Sequence, residues 1–198
     1  MARLKTWAYT SAHPEDSKGV RMEDSQVRFV PLTVKTVVCH TITYFVMGLL
    51  AYKLLNYEAI INNPCSGMRT TTSLWVILGA PLQIFRGILF ASIFYLFRDE
   101  LFRRNRGWLV MAWLLIGVGI LGTFAAPGGS LEGFIFTTTP PLLQMRGWLE
   151  VVPQAVLLSA LLVYWVRHPG RKGLNWGLGA AYVIAAGLPL LALIAPKR

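Results

Sequence analysis

Long apolar runs, separated by short polar segments, organise the whole chain. A membrane-spanning helix needs about 20 mostly apolar residues, and runs of this length lie at 33–55, 74–97, 107–126, 142–166 and 173–195. The segments between them hold the Gly, Pro, Asn, Ser or charged residues that interrupt helices. The pattern predicts an all-α, polytopic integral membrane protein, built as a bundle of about five transmembrane helices.

Composition excludes an ordinary soluble domain. The chain has 198 residues, of which 55% are hydrophobic and 14% charged, and its mean hydropathy is +0.51. A soluble domain carries about a quarter of its residues as charged side chains. The lipid bilayer is therefore the first partner that the sequence predicts.

The distribution of Lys and Arg predicts how the bundle is oriented. Residues 1–35 carry six, 98–106 carry four and 167–172 carry three, which places thirteen on one side. The opposite side has four, namely Lys53, Arg69, Lys197 and Arg198. Because cytoplasmic loops are enriched in basic residues, we expect a cytoplasmic N-terminus, an external C-terminus and a multi-pass location in the cell (inner or plasma) membrane.

Residues 1–31 form a polar N-terminal cytoplasmic tail in this interpretation, and residues 32–198 form the transmembrane bundle. The tail is too short and too polar to bury a core of its own. Two interpretations remain open for it. It is either a flexible terminus or a segment that a partner orders.

The formal net charge of +10 raises the question of nucleic acid. The basic residues recur at the ends of apolar runs and do not form one patch with interleaved aromatics, so we expect no nucleic-acid partner. With only Cys39 and Cys65, the chain has neither a disulfide framework nor a CxxC site. We expect no metal and no cofactor.

Two segments resemble each other within the chain. Pro81-Leu82-Gln83-Ile84-Phe85-Arg86-Gly87 is echoed by Pro141-Leu142-Leu143-Gln144-Met145-Arg146-Gly147, and each is followed by a basic loop and a Gly-rich run. The similarity predicts a tandem helical-hairpin repeat over 74–127 and 141–196. Both copies would enter the membrane from the same side, which makes the repeat parallel.

Arg86 is the most conspicuous charge in an apolar run. It lies about twelve residues from either end of its span, which is about 18 Å at 1.5 Å per residue. An arginine at this depth costs about 2.5–3.5 kcal/mol on insertion scales. Charges inside the membrane commonly pair with one another or mark a functional site, so we expect Arg86 to have a partner in the bundle, with Gln83 one turn further out.

The fourth run carries Arg146, Glu150 and Gln154 at intervals of four, which places them on one helical face. Glu150 lies close enough to the depth of Arg86 for an ion pair between the two spans. The predicted cluster is a site for a ligand, ion or proton, or else a structural pair that fixes helix register. Its excess of positive charge favours an anion or an anionic lipid headgroup.

His40 and Tyr44, one turn apart in the first run, are secondary candidates for the site. A single histidine on an apolar face more often packs and hydrogen-bonds than binds a metal or haem.

The loop 127–141 carries Phe134, Ile135 and Phe136, which is too apolar for a solvated linker. We expect an interfacial turn, and the alternative is a lid folded towards the polar cluster.

The sequence alone leaves three functions open. Glycine-rich faces in the third and fifth runs, including Gly173 and Gly177, permit close helix packing and favour a non-enzymatic accessory or structural subunit of a membrane complex or homo-oligomer. The intramembrane charges favour a small-anion transporter or channel. A membrane-embedded lipid-modifying enzyme is the third alternative, although no HExxH, GxSxG or P-loop motif is present and no catalytic residue is predicted.

Overall fold

The computed structural model describes residues 27–56, 69–70, 72–124 and 126–194. Within these ranges the regular secondary structure is helical and no strand occurs. The helices are α1 Phe29–Leu54, α2 Leu74–Ile77, α3 Gln83–Leu96, α4 Gly107–Ile116, α5 Leu131–Phe136, α6 Pro141–Arg167 and α7 Lys172–Ile194. Two π-helical turns follow α3 and α4, at Asp99–Arg103 and Gly117–Leu121. Most of the predicted tail 1–31 lies outside the described residues, as do Cys65, Lys197 and Arg198.

Three of the described helices are long and apolar enough to cross a membrane. They are α1, α6 and the Lys172–Leu191 part of α7. The 26 residues of α1 extend about 39 Å at 1.5 Å per residue, more than a hydrocarbon core of about 30 Å. Two further apolar helices, Gln83–Leu96 and Gly107–Leu121, are shorter. The prediction of an all-helical membrane protein is confirmed at this level.

Helix α1 lies at the centre of the described bundle. It packs against α3, α6 and α7, while α4 packs against α6. The α1–α3 pair is antiparallel, since the rings of Phe29 and Tyr95 meet at one end and those of His40 and Phe90 further along. The buried face of α1 includes four polar side chains, those of Thr36, His40, Thr41 and Thr43. The central helix therefore brings polar groups into the interior.

The predicted span 74–97 is wrong as one continuous helix. The chain turns at 78–82 between α2 and α3. Pro81 lacks a backbone N–H, and it follows Gly79, so two helix-breaking residues fall within one turn. The span predicted at 107–126 also ends early, because the π-helical turn Gly117–Leu121 closes with a hydrogen bond from Gly122 N to Gly117 O of 2.8 Å.

Two of the basic loops and the N-terminal end of α1 lie together at one end of the bundle, which we call the basic end. The Arg167 guanidinium at the end of α6 donates to the carbonyls of Phe102, Arg104 and Asn105. Lys35 Nζ donates to Trp165 O at 3.1 Å, and Trp165 Nε1 donates to Asn175 Oδ1 at 2.6 Å. Residues of α1, of the 98–106 loop, of α6 and of α7 thus share this end.

The main apolar core lies towards the basic end. It contains Leu32, Cys39, Phe94, Leu101, Phe102, Met111, Leu158, Leu162, Val163, Trp165 and Leu178. Of the polar side chains singled out in the sequence, Tyr44 lies one turn past His40 on α1, and Gln83 on α3 meets His40. The buried hydroxyls of Thr36 and Ser159 lie on the same stretches of α1 and α6 as this core.

Candidate functional site

His40 and Gln83 form the hydrogen bond that joins α1 to α3. His40 Nε2 and Gln83 Oε1 are 3.0 Å apart, and Gln83 Nε2 donates to Gly79 O at 3.0 Å. The second bond orients the amide, so its oxygen faces the imidazole and His40 Nε2 must be the donor. Gly79 O would accept from the backbone N–H of residue 83 in an unbroken helix. The Gln83 side chain takes over this role at the break before α3.

Arg86 lies one turn further along α3 and is exposed at the surface of the described bundle. Its guanidinium carbon is 5.5 Å from the centre of the Phe90 ring, within the range of a cation–π contact. Phe90 in turn meets the His40 ring edge to face, with 5.0 Å between ring centroids. An exposed guanidinium held against an aromatic ring can still bind a ligand from the side.

Tyr44 lies near both of the charges predicted to pair. Its hydroxyl is close to Gly79, where a Cβ atom would be 3.2 Å from it. Both Glu150 and Arg86 act electrostatically on this hydroxyl. On α6, Glu150 reaches towards α1, because a Cβ atom at Gly48 would lie 3.8 Å from Glu150 Oε1. The direct Arg86–Glu150 ion pair stays a prediction, and the two charges share Tyr44 as a neighbour.

The structure therefore brings together five of the seven predicted site residues. We call His40, Tyr44, Gln83, Arg86 and Glu150 the polar cluster. The other two flank it on α6. Arg146 is exposed one turn before Glu150, and Gln154 is half-buried one turn after it. The secondary candidates of the sequence, His40 and Tyr44, thus lie at the centre of the cluster.

Three buried polar atoms of α1 have no hydrogen-bond partner among the described residues. They are Thr36 Oγ1, His40 Nδ1 and Thr41 Oγ1. Since His40 Nε2 carries the proton, Nδ1 presents a lone pair that can accept a hydrogen bond. Such atoms usually bind ordered water when protein offers no partner. No group of three His, Cys, Asp or Glu side chains that could hold a metal occurs in the described part of the chain.

Gln144 carries a second set of polar contacts, which the sequence did not reveal. Its side chain is 5% exposed and binds the loop before α6. Gln144 Oε1 accepts from Gly129 N at 3.1 Å, and Nε2 lies within hydrogen-bond distance of Thr139 O, Thr137 Oγ1 and Gly133 O. Its targets are mostly backbone atoms, which leave no mark in the sequence. The available signal was its position in the first turn of a helix that follows a hydroxyl-rich loop.

The loop 126–139, which we call the cap, is a folded unit. The Ser130 hydroxyl stabilises the N-terminus of α5 by accepting a hydrogen bond from Gly133 N at 2.9 Å. Trp148 Nε1 donates to Gly129 O at 2.8 Å, and its ring meets that of Phe134 at 5.7 Å between centroids. Ile135 and Phe136 are exposed, as expected of an interfacial turn. These contacts attach the cap to the two turns of α6 that precede Glu150.

The arrangement offers an exposed cation, a carboxylate, a phenol and a fixed imidazole between three helices. A guanidinium and hydroxyl donors are suited to binding an anion. Comparison of the chain with family models, with curated proteins and with solved structures finds no match.

Proposed function

We propose that this protein is a non-enzymatic subunit of a membrane assembly, and that it associates with other helices through α7. The observation that carries the proposal is the open face of this helix. Only 11% of an apolar 18-residue window within Lys172–Leu191 is buried against the described residues. Large apolar side chains on it face outward, with Trp176 81% and Val183 68% exposed.

Exposed apolar side chains alone need no partner in a bilayer, because lipid tails are as apolar as leucine. The glycines of α7 are more informative. A Cβ atom at Gly173, Gly177, Gly179 or Gly187 would meet no other atom within 4 Å. Each glycine costs a helix about 1 kcal/mol relative to alanine, and among the described residues no packing at these glycines compensates for that cost. Close approach of a second helix supplies such compensation, as small residues spaced by four do in membrane dimers.

A bulky substitution on this face tests the proposal. Gly177→Leu leaves the chain's own contacts unchanged, since nothing lies near its Cβ, and should convert the assembly to monomers in native mass spectrometry of mild-detergent extracts. Gly147→Leu on α6 is the matched control, because a Cβ atom there also meets nothing within 4 Å. A parent protein that is strictly monomeric in detergent and in nanodiscs would remove the proposal.

The proposed topology has five membrane crossings with a cytoplasmic basic end, in the cell membrane. The interrupted α2–α3 segment and α4 with its π-helical turn would provide the second and third crossings. The grouping of basic segments at one end supports this orientation through the positive-inside rule. The proposed hairpin repeat has weaker support, because α3 begins after a break whereas α6 is continuous from Pro141.

A second candidate function is binding or transport of a small anion at the polar cluster. The observation that favours it is the exposed Arg86 guanidinium of the polar cluster, which stacks on Phe90. Flux of chloride or nitrate into proteoliposomes is the direct measurement. Arg86→Gln should abolish such flux, while Arg69→Gln, which alters a guanidinium stacked on Trp75 outside the cluster, should preserve it. Parent protein with no flux above empty liposomes would exclude transport of these anions.

A further inference from the structure

An apolar groove runs along the contact between α1 and α6. Its volume is about 510 Å³, and its walls are formed by Ile42, Thr43, Val46, Leu157, Ala160, Leu161 and Tyr164. Pockets for small molecules commonly occupy about 300–1,000 Å³. The groove is open at the side, and Leu157 and Val46 are 46% and 42% exposed. Its size and lining suit a flexible hydrocarbon chain.

Two cations lie at the end of this groove that faces the basic end. The Arg171 guanidinium stacks 5.4 Å from the Tyr164 ring centre and donates to Tyr164 Oη. Lys35 lies seven residues before Ile42, which places it on the same face of α1 two turns away. One of its three N–H donors goes to Trp165 O, the residue next to Tyr164. The α1 wall of the groove therefore leads to Lys35, and the α6 wall leads through Tyr164 to Arg171.

We propose that the groove binds a phospholipid with an anionic headgroup, with one acyl chain between α1 and α6 and the phosphate near Lys35 and Arg171. The charge around this end favours a negative ligand. The two acidic side chains described at the basic end, Asp99 and Glu100, form ion pairs with Arg103 and Arg104 at 3.1 and 2.8 Å. Both carboxylates are therefore already paired with arginines of the 98–106 loop. A zwitterionic headgroup would gain less from Lys35 and Arg171 than an anionic one.

This site is distinct from both proposed functions, since it uses neither the glycine face of α7 nor the polar cluster. An acyl chain in the groove would cover apolar side chains that α1 and α6 leave exposed. The headgroup would bridge the two helices at the level where Lys35 already binds the α6 backbone. Such a lipid would act as an additional contact between the central helix and α6.

Lipid retention tests the proposal on the full chain. The protein is extracted from nanodiscs that contain equal amounts of phosphatidylglycerol and phosphatidylcholine, and bound lipid is measured by native mass spectrometry. We expect one retained phospholipid per chain, enriched in phosphatidylglycerol. Arg171→Gln should weaken this retention roughly tenfold, as expected for loss of one charge-assisted contact. Lys172→Gln, the adjacent exposed cation, is the matched control and should retain the lipid.

Filling the groove separates a specific site from general lipid solvation. Ala160→Phe should displace the lipid, whereas Ala180→Phe on the exposed side of α7 should not. Equal retention by the parent and by Ala160→Phe would overturn the proposal, and so would equal retention of the two lipids. If Ala160→Phe changes the size of the assembly while lipid retention is unchanged, the groove holds a second chain and the lipid assignment is wrong.

Discussion

Gly87 on α3 faces the backbone of Val37 on α1, and a Cβ atom at Gly87 would lie 2.8 Å from Val37 Cα. Real side chains do not tolerate such a distance, so the two helices approach as closely as a glycine permits. One turn away, the same antiparallel register brings Gln83 to His40. The close contact at Gly87 therefore sets the alignment on which the polar cluster depends.

Gly87→Ala should destabilise the protein by about 1–3 kcal/mol, the usual cost of overpacking a tight contact. The helices must separate to admit the methyl group, because the obstacle is backbone. Thermal unfolding in detergent measures the effect. Gly147→Ala, with open space around its Cβ, should be neutral or stabilising by up to about 1 kcal/mol. Equal melting temperatures for the two variants would show that α1 and α3 are not closely packed.

Gln144→Leu should release the cap from α6. The substitution leaves buried cap groups without partners, which costs about 1–3 kcal/mol for a buried group left unsatisfied. We expect faster hydrogen exchange over 126–139 with little change in α1. Gln154→Leu, two to three turns further along the same helix, should leave the cap unchanged. If the cap stays protected from hydrogen exchange in Gln144→Leu, then Trp148 rather than Gln144 attaches the cap to α6.

A double-mutant cycle measures whether Arg86 and Glu150 interact. We expect Arg86→Met and Glu150→Leu to show a coupling energy of about 0.5–3 kcal/mol, because both charges lie beside Tyr44. The double variant should be more stable than the single changes predict. The control cycle combines Arg86→Met with Glu100→Leu, a carboxylate of the basic end paired with Arg104, and should be additive. Additivity in both cycles would make the predicted ion pair wrong.

Anion flux, measured in the same variants, separates a ligand site from a structural pair. If the two charges form only a structural pair, the double variant should keep both its stability and any anion flux of the parent. A ligand site predicts a folded double variant that loses any anion flux of the parent.

Cysteine labelling tests the proposed topology. In a background with Cys39→Ala and Cys65→Ala, Asn105→Cys and Thr138→Cys introduce exposed thiols in the 98–106 loop and in the cap. A membrane-impermeant maleimide added to intact cells should label residue 138, and should label residue 105 only after permeabilisation. Labelling of both positions in intact cells would contradict a bundle that crosses the membrane between them.

The sequence identified the polar residues of the cluster because each is unusual in an apolar run. It could not show that His40 and Tyr44 lie at its centre, since this depends on the α1–α3 register that Gly87 and Val37 set. The break near Pro81 was also missed, whereas Pro153 lies within the continuous helix α6. A proline alone does not decide between these outcomes, and neither does a glycine two residues before it, because Gly187 precedes Pro189 in the same way inside the continuous helix α7.

Contacts to backbone atoms were beyond sequence reasoning. Gln144 binds backbone atoms of the cap, and Arg167 binds three carbonyls of the 98–106 loop. Any residue type presents these atoms, so no pairing pattern marks them.

The central position of α1 has a consequence for biosynthesis. This helix is synthesised before α3, α6 and α7, which later enclose the Thr36, His40, Thr41 and Thr43 side chains of its buried face. At about 5–20 residues per second, the ribosome needs roughly 6–23 s to proceed from the end of α1 to the end of α6. During that interval the buried face of α1, with its His40 imidazole, is only partly enclosed, and lipid offers that imidazole no hydrogen bond. Chains truncated before α6 should therefore remain associated with the insertion machinery and be degraded, whereas chains that reach Arg167 should be released as an assembled bundle.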